Sequence, residues 1–240
     1  MNAPEPELRA SADVLAFSEL FESVQGEGIS AGEPSVFLRL AHCNLRCTWC
    51  DTKYTWDFRA YRYEDEVRFE RVIDLAARLN AFSVRRLVLT GGEPLLQQTG
   101  VAHLFALLAA NFWVEVETNG TSIPDRALTE RVDQWNVSPK LAHSGEPETK
   151  RIRPEALAAL LATGRANLKL VIGNAADALE AEALVTGAAW PRDRVLLMAE
   201  GYTRTALAAR APLVKAEALR RGFGYSPRLH VERWDGLRGV

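Results

Sequence analysis

The segment SVFLRLAHCNLRCTWC, residues 35–50, carries the information that decides the fold. Its first half, SVFLRLA (35–41), is a short apolar run rich in Val, Leu and Phe, as expected of a buried strand. Arg39 breaks that run, and a cation buried in an apolar strand is costly without an anion partner. Directly after the run come Cys43, Cys47 and Cys50, the full complement of three cysteines among 240 residues. Disulfides consume thiols in pairs. Three thiols within eight residues therefore point to metal binding or chemistry.

Outward from this segment, strand-like and helix-like patterns alternate. RRLVLT (85–90), FWVEVE (112–117), DQWNVS (133–138), NLKLVIG (167–173) and RVLLMAE (194–200) read as strands. VRFERVIDLAARLN (67–80), VAHLFALLAA (101–110), PEALAALLATG (154–164), 175–187 and 205–221 read as helices. Proline at the start and glycine at the end of the 154–164 pattern suit a helix. About six strand–helix units with short connections predict a parallel sheet with right-handed crossovers. The fold class is α/β: a full or partial TIM-like β/α barrel, or failing that an open doubly wound sheet. No internal repeat or linker is evident, so 1–240 is expected to be a single domain, with 1–13 as a flexible tail.

Chemistry in such folds gathers at the C-terminal ends of strands. The unusual residues fall there. The cysteines follow the first parallel strand, TGGEP (90–94) overlaps the end of the next, ETNGT (117–121) closes the third and SPK (138–140) the fourth. Glycine and proline often only punctuate loops, but four such clusters at successive strand ends would share one mouth.

Composition excludes several classes. A net charge of −2 offers no basic surplus for nucleic acid. The longest apolar stretch, VAHLFALLAANFWVEV (101–116), is interrupted by His103 and Asn111 and is too short to span a bilayer. The N-terminal MNAPEPELRASAD lacks the apolar core of a secretory signal. A cytoplasmic protein is expected, with no membrane or nucleic-acid partner.

A closed zinc site wants four ligands, so it would have to borrow His42, His103, His143 or His230. A [4Fe–4S] cube normally takes four thiolates. Three would leave one iron open to chelate the amino and carboxylate groups of a small molecule, and S-adenosylmethionine carries that pair. The spacing Cys43-x3-Cys47-x2-Cys50, with Trp49 before the last cysteine, resembles the signature of the radical S-adenosylmethionine superfamily.

Within that superfamily, ESVQGEG (22–28), FLRLAHCNLRCTWCDTKYTW (37–56), TGGEP, ETNGT, NVSPK (136–140) and YSPRLHVERWDGLRGV (225–240) resemble the 7-carboxy-7-deazaguanine synthases. The likeness runs from about residue 17 to 240. Val24, Lys53 and Tyr54 depart mildly from the commonest wording of its motifs. It implies a shortened barrel with a radical SAM core, a homodimer, an electron donor such as flavodoxin, and magnesium beside the cluster and S-adenosylmethionine. The implied reaction converts the pterin 6-carboxy-5,6,7,8-tetrahydropterin into 7-carboxy-7-deazaguanine with loss of ammonia, toward queuosine and related deazapurines. A 5′-deoxyadenosyl radical would abstract hydrogen from C6 of the pterin and later take it back.

By the same resemblance, Cys43, Cys47 and Cys50 hold the cluster and Thr52 ligates magnesium. Trp49, Cys50, Asp51, Gly92, Glu93, Ser138, Pro139 and Lys140 hold S-adenosylmethionine. Val24, Gln25, Gly26, Arg39, Thr90, Pro227 and His230 contact the substrate. Arg39 could instead close an ion pair inside the barrel with Glu27 or Glu117, and His230 could be structural. Rival readings are a small activase of glycyl-radical enzymes and a non-catalytic zinc adaptor.

Overall fold

The computed structural model describes residues 12–240, so most of the expected N-terminal tail lies outside the described residues. Its centre is a nine-stranded sheet: β1 (Val14–Val24), β2 (Pro34–Leu40), β3 (Arg68–Arg71), β4 (Arg86–Gly91), β5 (Trp113–Thr118), β6 (Gln134–Val137), β7 (Ala166–Ile172), β8 (Val195–Ala199) and β9 (Gly224–Ser226). The order is β3-β1-β2-β4-β5-β6-β7-β8-β9. From β2 to β9 every pairing is parallel, whereas β1 runs antiparallel to both β2 and β3. β3 and β9 are separate ends, so the barrel stays open. This is the partial β/α barrel.

Strand alternation explains why the inside of this barrel is polar. Val36, Leu38 and Leu40 of β2, Leu87 and Leu89 of β4, and Leu168, Leu170 and Ile172 of β7 join the main hydrophobic core. Leu75, Leu79, Leu104, Leu157 and Val185 from the surrounding helices belong to the same core. Side chains one residue along point to the opposite face, and there stand Arg39, Thr90, Glu117 and Lys169. Helices bury one face of the sheet, and the other is left for chemistry.

The expected helix over 67–80 is corrected in its first turn. Residues Arg68–Arg71 form β3, and the helix occupies Val72–Ala81. Arg68, Phe69, Glu70 and Arg71 pair with Phe17, Ala16, Leu15 and Val14, so ladder hydrogen bonds along β1 outweigh the local helical pattern. The short, charged strand also blunts the sheet edge. β1 and β9 carry no strand–helix signature and escaped the sequence reading. The helix Ala175–Gly187 starts as expected, under a capping box between Asn174 and Asp177.

Candidate active site

The chain leaves β2 through a sharp bend. His42 takes the left-handed conformation (φ 70°). Its N–H donates to the Thr55 carbonyl (2.7 Å), and its own carbonyl accepts from Glu93 N–H (2.8 Å). The cysteine loop is thus pinned at its root between the 52–56 turn and the loop after β4. Further along, Thr48 N–H donates to Ser144 O (3.0 Å), and Arg46 N–H donates to the Glu146 carboxylate. Asn119 Nδ2 donates to Asn44 Oδ1 (2.8 Å). Loops from three strand ends hold the loop from a fourth.

Cys43, Cys47 and Cys50 all line one cavity of about 640 Å³ at the C-terminal mouth of the barrel. Burial pushes the Cys43 thiol up to about 12, with Glu93, Cys47 and Cys50 adding to the shift. Burial raises Cys47 as well, and Lys140 opposes it. Buried as they are, the Cys43 and Cys47 thiols resist becoming thiolates unless cations arrive, which an iron cluster supplies. N–H donors already face two of the sulfurs: Leu45 N–H to Cys43 Sγ (3.4 Å) and Trp56 Nε1 to Cys50 Sγ (3.3 Å).

The histidines that could have closed a four-ligand site each stand beside another group. His42 Nε2 lies 3.4 Å from Tyr63 Oη, and His143 Nδ1 lies 3.2 Å from Asp177. His230 Nε2 lies 3.7 Å from Glu27 and His103 Nδ1 3.7 Å from Asp13. Among the described residues no three of His, Cys, Asp and Glu converge on a single-ion site. The donor set fits a cube bound by three thiolates, each on its own iron, better than one zinc ion.

Gly92 lets the loop after β4 press on the cysteine loop. A β-carbon there would collide with the carbonyl oxygen of His42. Gly92→Ala should cost about 1–3 kcal/mol, read as a lower denaturation midpoint with unchanged m value.

Glu93, expected to hold S-adenosylmethionine, braces the loop after β4. It is fully buried and outside the cavity wall. Its carboxylate accepts from Leu95 N–H (3.0 Å), Thr118 Oγ1 (2.8 Å) and Asn119 N–H (2.7 Å). Those bonds cap the turn at Pro94–Gln97 and tie it to β5. Pro139 and Pro227 also lie outside the wall. The side chains that face inward are their neighbours: Ser138 and Lys140 in one case, Arg228 and His230 in the other. Lys140 Nζ donates to Ser138 Oγ (2.9 Å) and sits 5.6 Å over the Trp49 ring.

The remaining expected residues, Val24, Gln25, Gly26, Arg39, Trp49, Asp51, Thr52, Thr90 and His230, do line the cavity. Two of them are partnered otherwise than expected. Gln25 turns its amide toward the barrel floor, donating to Glu115 Oε1 (2.7 Å) and accepting from Glu27 N–H (3.1 Å). Its amide already has protein partners, so an amide contact to substrate would compete with them. Arg39 pairs with Glu19 of β1 through Nε (2.6 Å), not with Glu27 or Glu117. β1 is its antiparallel neighbour, Glu19 standing opposite Arg39 in the register.

Sequence reading missed a chain of buried charges along the same wall. Lys169 donates to Glu27 Oε2 (2.5 Å) and Glu117 Oε1 (2.8 Å). Thr90 Oγ1 donates to Glu117 (2.7 Å). Arg228 bridges Glu27 (2.9 Å) and Asp51. Burial alone would raise Glu27, yet the Lys169 and Arg228 cations hold its carboxyl well below the usual range. Lys169 carried a readable signal, a lone cation in the apolar run NLKLVIG, the same anomaly that exposed Arg39. Arg228 carried none, and Glu27, 201 residues away in sequence, stood as a candidate partner for Arg39 and not for Arg228. The wall is completed by Gly236–Val240, where Arg238 lies over the Tyr54 ring and Gly236 sits against the Tyr202 backbone.

Comparisons with known proteins agree with this geometry. The Radical SAM superfamily model matches residues 39–162. A 7-carboxy-7-deazaguanine synthase of Pyrobaculum aerophilum is 40% identical over 92% of this chain and 95% of its own. One of Halobacterium salinarum is 37% identical over 92% and 91%. The crystal structure of QueE from Escherichia coli superposes with a TM-score of 0.64 at 26% identity, covering 89% of this chain and 93% of that one. A three-thiolate loop at the mouth of an open barrel, together with likeness along nearly the full length, leads to one conclusion: the chain belongs to the 7-carboxy-7-deazaguanine synthase family of radical S-adenosylmethionine enzymes.

Proposed function

We propose that this chain converts 6-carboxy-5,6,7,8-tetrahydropterin into 7-carboxy-7-deazaguanine with release of ammonia, a step toward queuosine or related deazapurines. The observation that carries this reading is that all three cysteines and a cation-rich polar interior share one cavity, in a chain of this family. When bound, the cluster and S-adenosylmethionine supply a hydrogen-abstracting adenosyl radical by reductive cleavage of the sulfonium.

The protein's own share is placement and exclusion of water. Cys43, Cys47 and Cys50 would each hold one iron. Gly92 would offer close backbone approach at the methionine end, Ser138 and Lys140 would hold the sugar or the carboxylate of S-adenosylmethionine, and Trp49 would pack against it. Thr52, whose Oγ1 stands 3.6 Å from Cys50 Sγ, offers magnesium a hard oxygen donor. The substrate carboxylate falls to Arg39, which is held in one pose by Glu19. The carboxylate of Glu117 can accept from the amino edge of the pterin. Val24 and Gly26 line the ring, and Asp51 and His230 are held at the rim through Arg228 and Glu27. The chain acts as a homodimer and receives its electron from a flavodoxin-type donor.

Anaerobic reconstitution with iron and sulfide, followed by incubation with S-adenosylmethionine, dithionite, magnesium and the pterin, tests the reading. Deazaguanine should accumulate, and its absence from a fully loaded protein would overturn the assignment. Arg39→Met should raise KM for the pterin roughly tenfold to a hundredfold, as loss of a charged hydrogen bond implies. KM for S-adenosylmethionine should not change.

A further inference from the structure

The segment CDTKYTW (50–56) ends on an aromatic residue that no part of the reaction yet uses. Trp56 lines the cavity, and its indole Nε1 points at Cys50 Sγ from 3.3 Å. The indole is held there by a knotted turn. Thr55 N–H and Thr55 Oγ1 both donate to Thr52 O (2.9 and 2.8 Å). Trp56 N–H and Asp57 N–H both donate to Lys53 O (3.0 and 2.7 Å). The turn is fastened to the root of the cysteine loop by His42 N–H donating to Thr55 O. Ring and sulfur are therefore tied to one rigid piece of chain. On the ring itself lies the Arg46 guanidinium, 5.0 Å from the centroid. A cation over the π-face draws electron density from the indole and makes its N–H a stronger donor.

We infer that Trp56 is a positioning residue that sets the reduction potential of the cluster through an N–H···S bond to Cys50. The physics is that of charge. Reduction adds an electron to a cluster whose thiolates are already negative, and a donor at one thiolate stabilises the more negative state. Hydrogen bonds to cluster sulfurs are among the levers that set such potentials. Phenylalanine would place a smaller aromatic ring there and supply no donor, which gives a reason for tryptophan at this position. The inference rests on the three-thiolate reading above.

Trp56→Phe keeps an aromatic side chain and removes the donor. Reconstituted anaerobically, the variant should hold the same iron content as the unsubstituted protein. The midpoint of its cluster, read by EPR-monitored titration, should move to a more negative potential. A midpoint coincident with that of the unsubstituted protein overturns the inference. A second arm does not depend on the variant folding well. With nitrogen-15 in the indole of tryptophan, pulsed EPR of the reduced, unsubstituted protein should show a weak nitrogen coupling, which Trp56→Phe would lose. No coupling overturns the inference too, while leaving the cluster and the reaction in place. An unsubstituted protein that binds no iron would instead remove the cluster assignment and this inference with it.

Discussion

Cys43→Ala is expected to abolish cluster assembly and to cut deazaguanine formation by at least about a thousandfold, equivalent to about 4 kcal/mol of barrier. The reason lies in ligand arithmetic. Three thiolates are the whole supply, and no histidine stands ready to replace one. The structure adds a pH dependence. Burial, together with nearby Glu93, Cys47 and Cys50, keeps the Cys43 thiol protonated well above neutral pH. Iron uptake must then release protons, so loading of the unsubstituted protein should strengthen as pH rises. In the iron-free protein, Cys43 should also alkylate more slowly than an ordinary thiol. Iron content and visible absorbance check the first expectation, and mass-mapped alkylation checks the last. A Cys43→Ala protein that turns over at the unsubstituted rate would end the cluster assignment.

Lys169→Met should be the most damaging single change away from the cysteines. Lys169 is 4% exposed and lies between Glu27 and Glu117. Removing one partner of a buried ion pair leaves an uncompensated charge and typically costs about 3–5 kcal/mol. Here Glu27 retains Arg228, while Glu117 retains only the Thr90 hydroxyl among its hydrogen-bond partners. The loss should therefore be large at neutral pH, and pterin binding should fall with it.

The sign of the pH dependence follows from the shifts. Glu27 has a folded pKa below its unfolded value. Its contribution is present above the ordinary carboxylate range and is lost as pH falls toward the folded pKa. Lys169 is shifted upward, mainly because Glu117 and Glu27 outweigh its burial. Its contribution is present below the ordinary lysine value and is lost only at strongly alkaline pH. In Lys169→Met burial is less opposed at Glu27, so protonating that carboxyl costs the variant less than it costs the unsubstituted protein. The stability gap should narrow as pH drops from neutral into the carboxylate range. Urea titrations at pH 7 and near the ordinary carboxylate pKa of about 4.3 measure this. A gap that widens toward acid would contradict the network.

Much of this was legible in sequence because it was written locally. The strand–helix alternation depends on residues a few positions apart, and so do the three cysteines and the GGEP turn. That is why parallel strands from β2 to β8, and a cluster at their C-terminal ends, could be read directly. β1 and β3 were harder. An antiparallel edge pairing has no helix to frame it, and residues 68–71 carry a helical pattern that only the ladder to β1 overrides.

The sequence by itself determined the chemistry's raw material: three thiolates without a fourth, an α/β chain to carry them, and a lone arginine in an apolar strand that demanded an anion. Tertiary structure decided which anion, giving Arg39 to Glu19 across β1. It gave the Glu93 carboxylate its partners on Thr118 and Asn119. It also assembled Glu27, Lys169, Glu117 and Arg228 into one wall. The physical reason is distance. Ion pairs act over a few ångströms of space, and residues 27 and 228 reach that separation only after the barrel has curled.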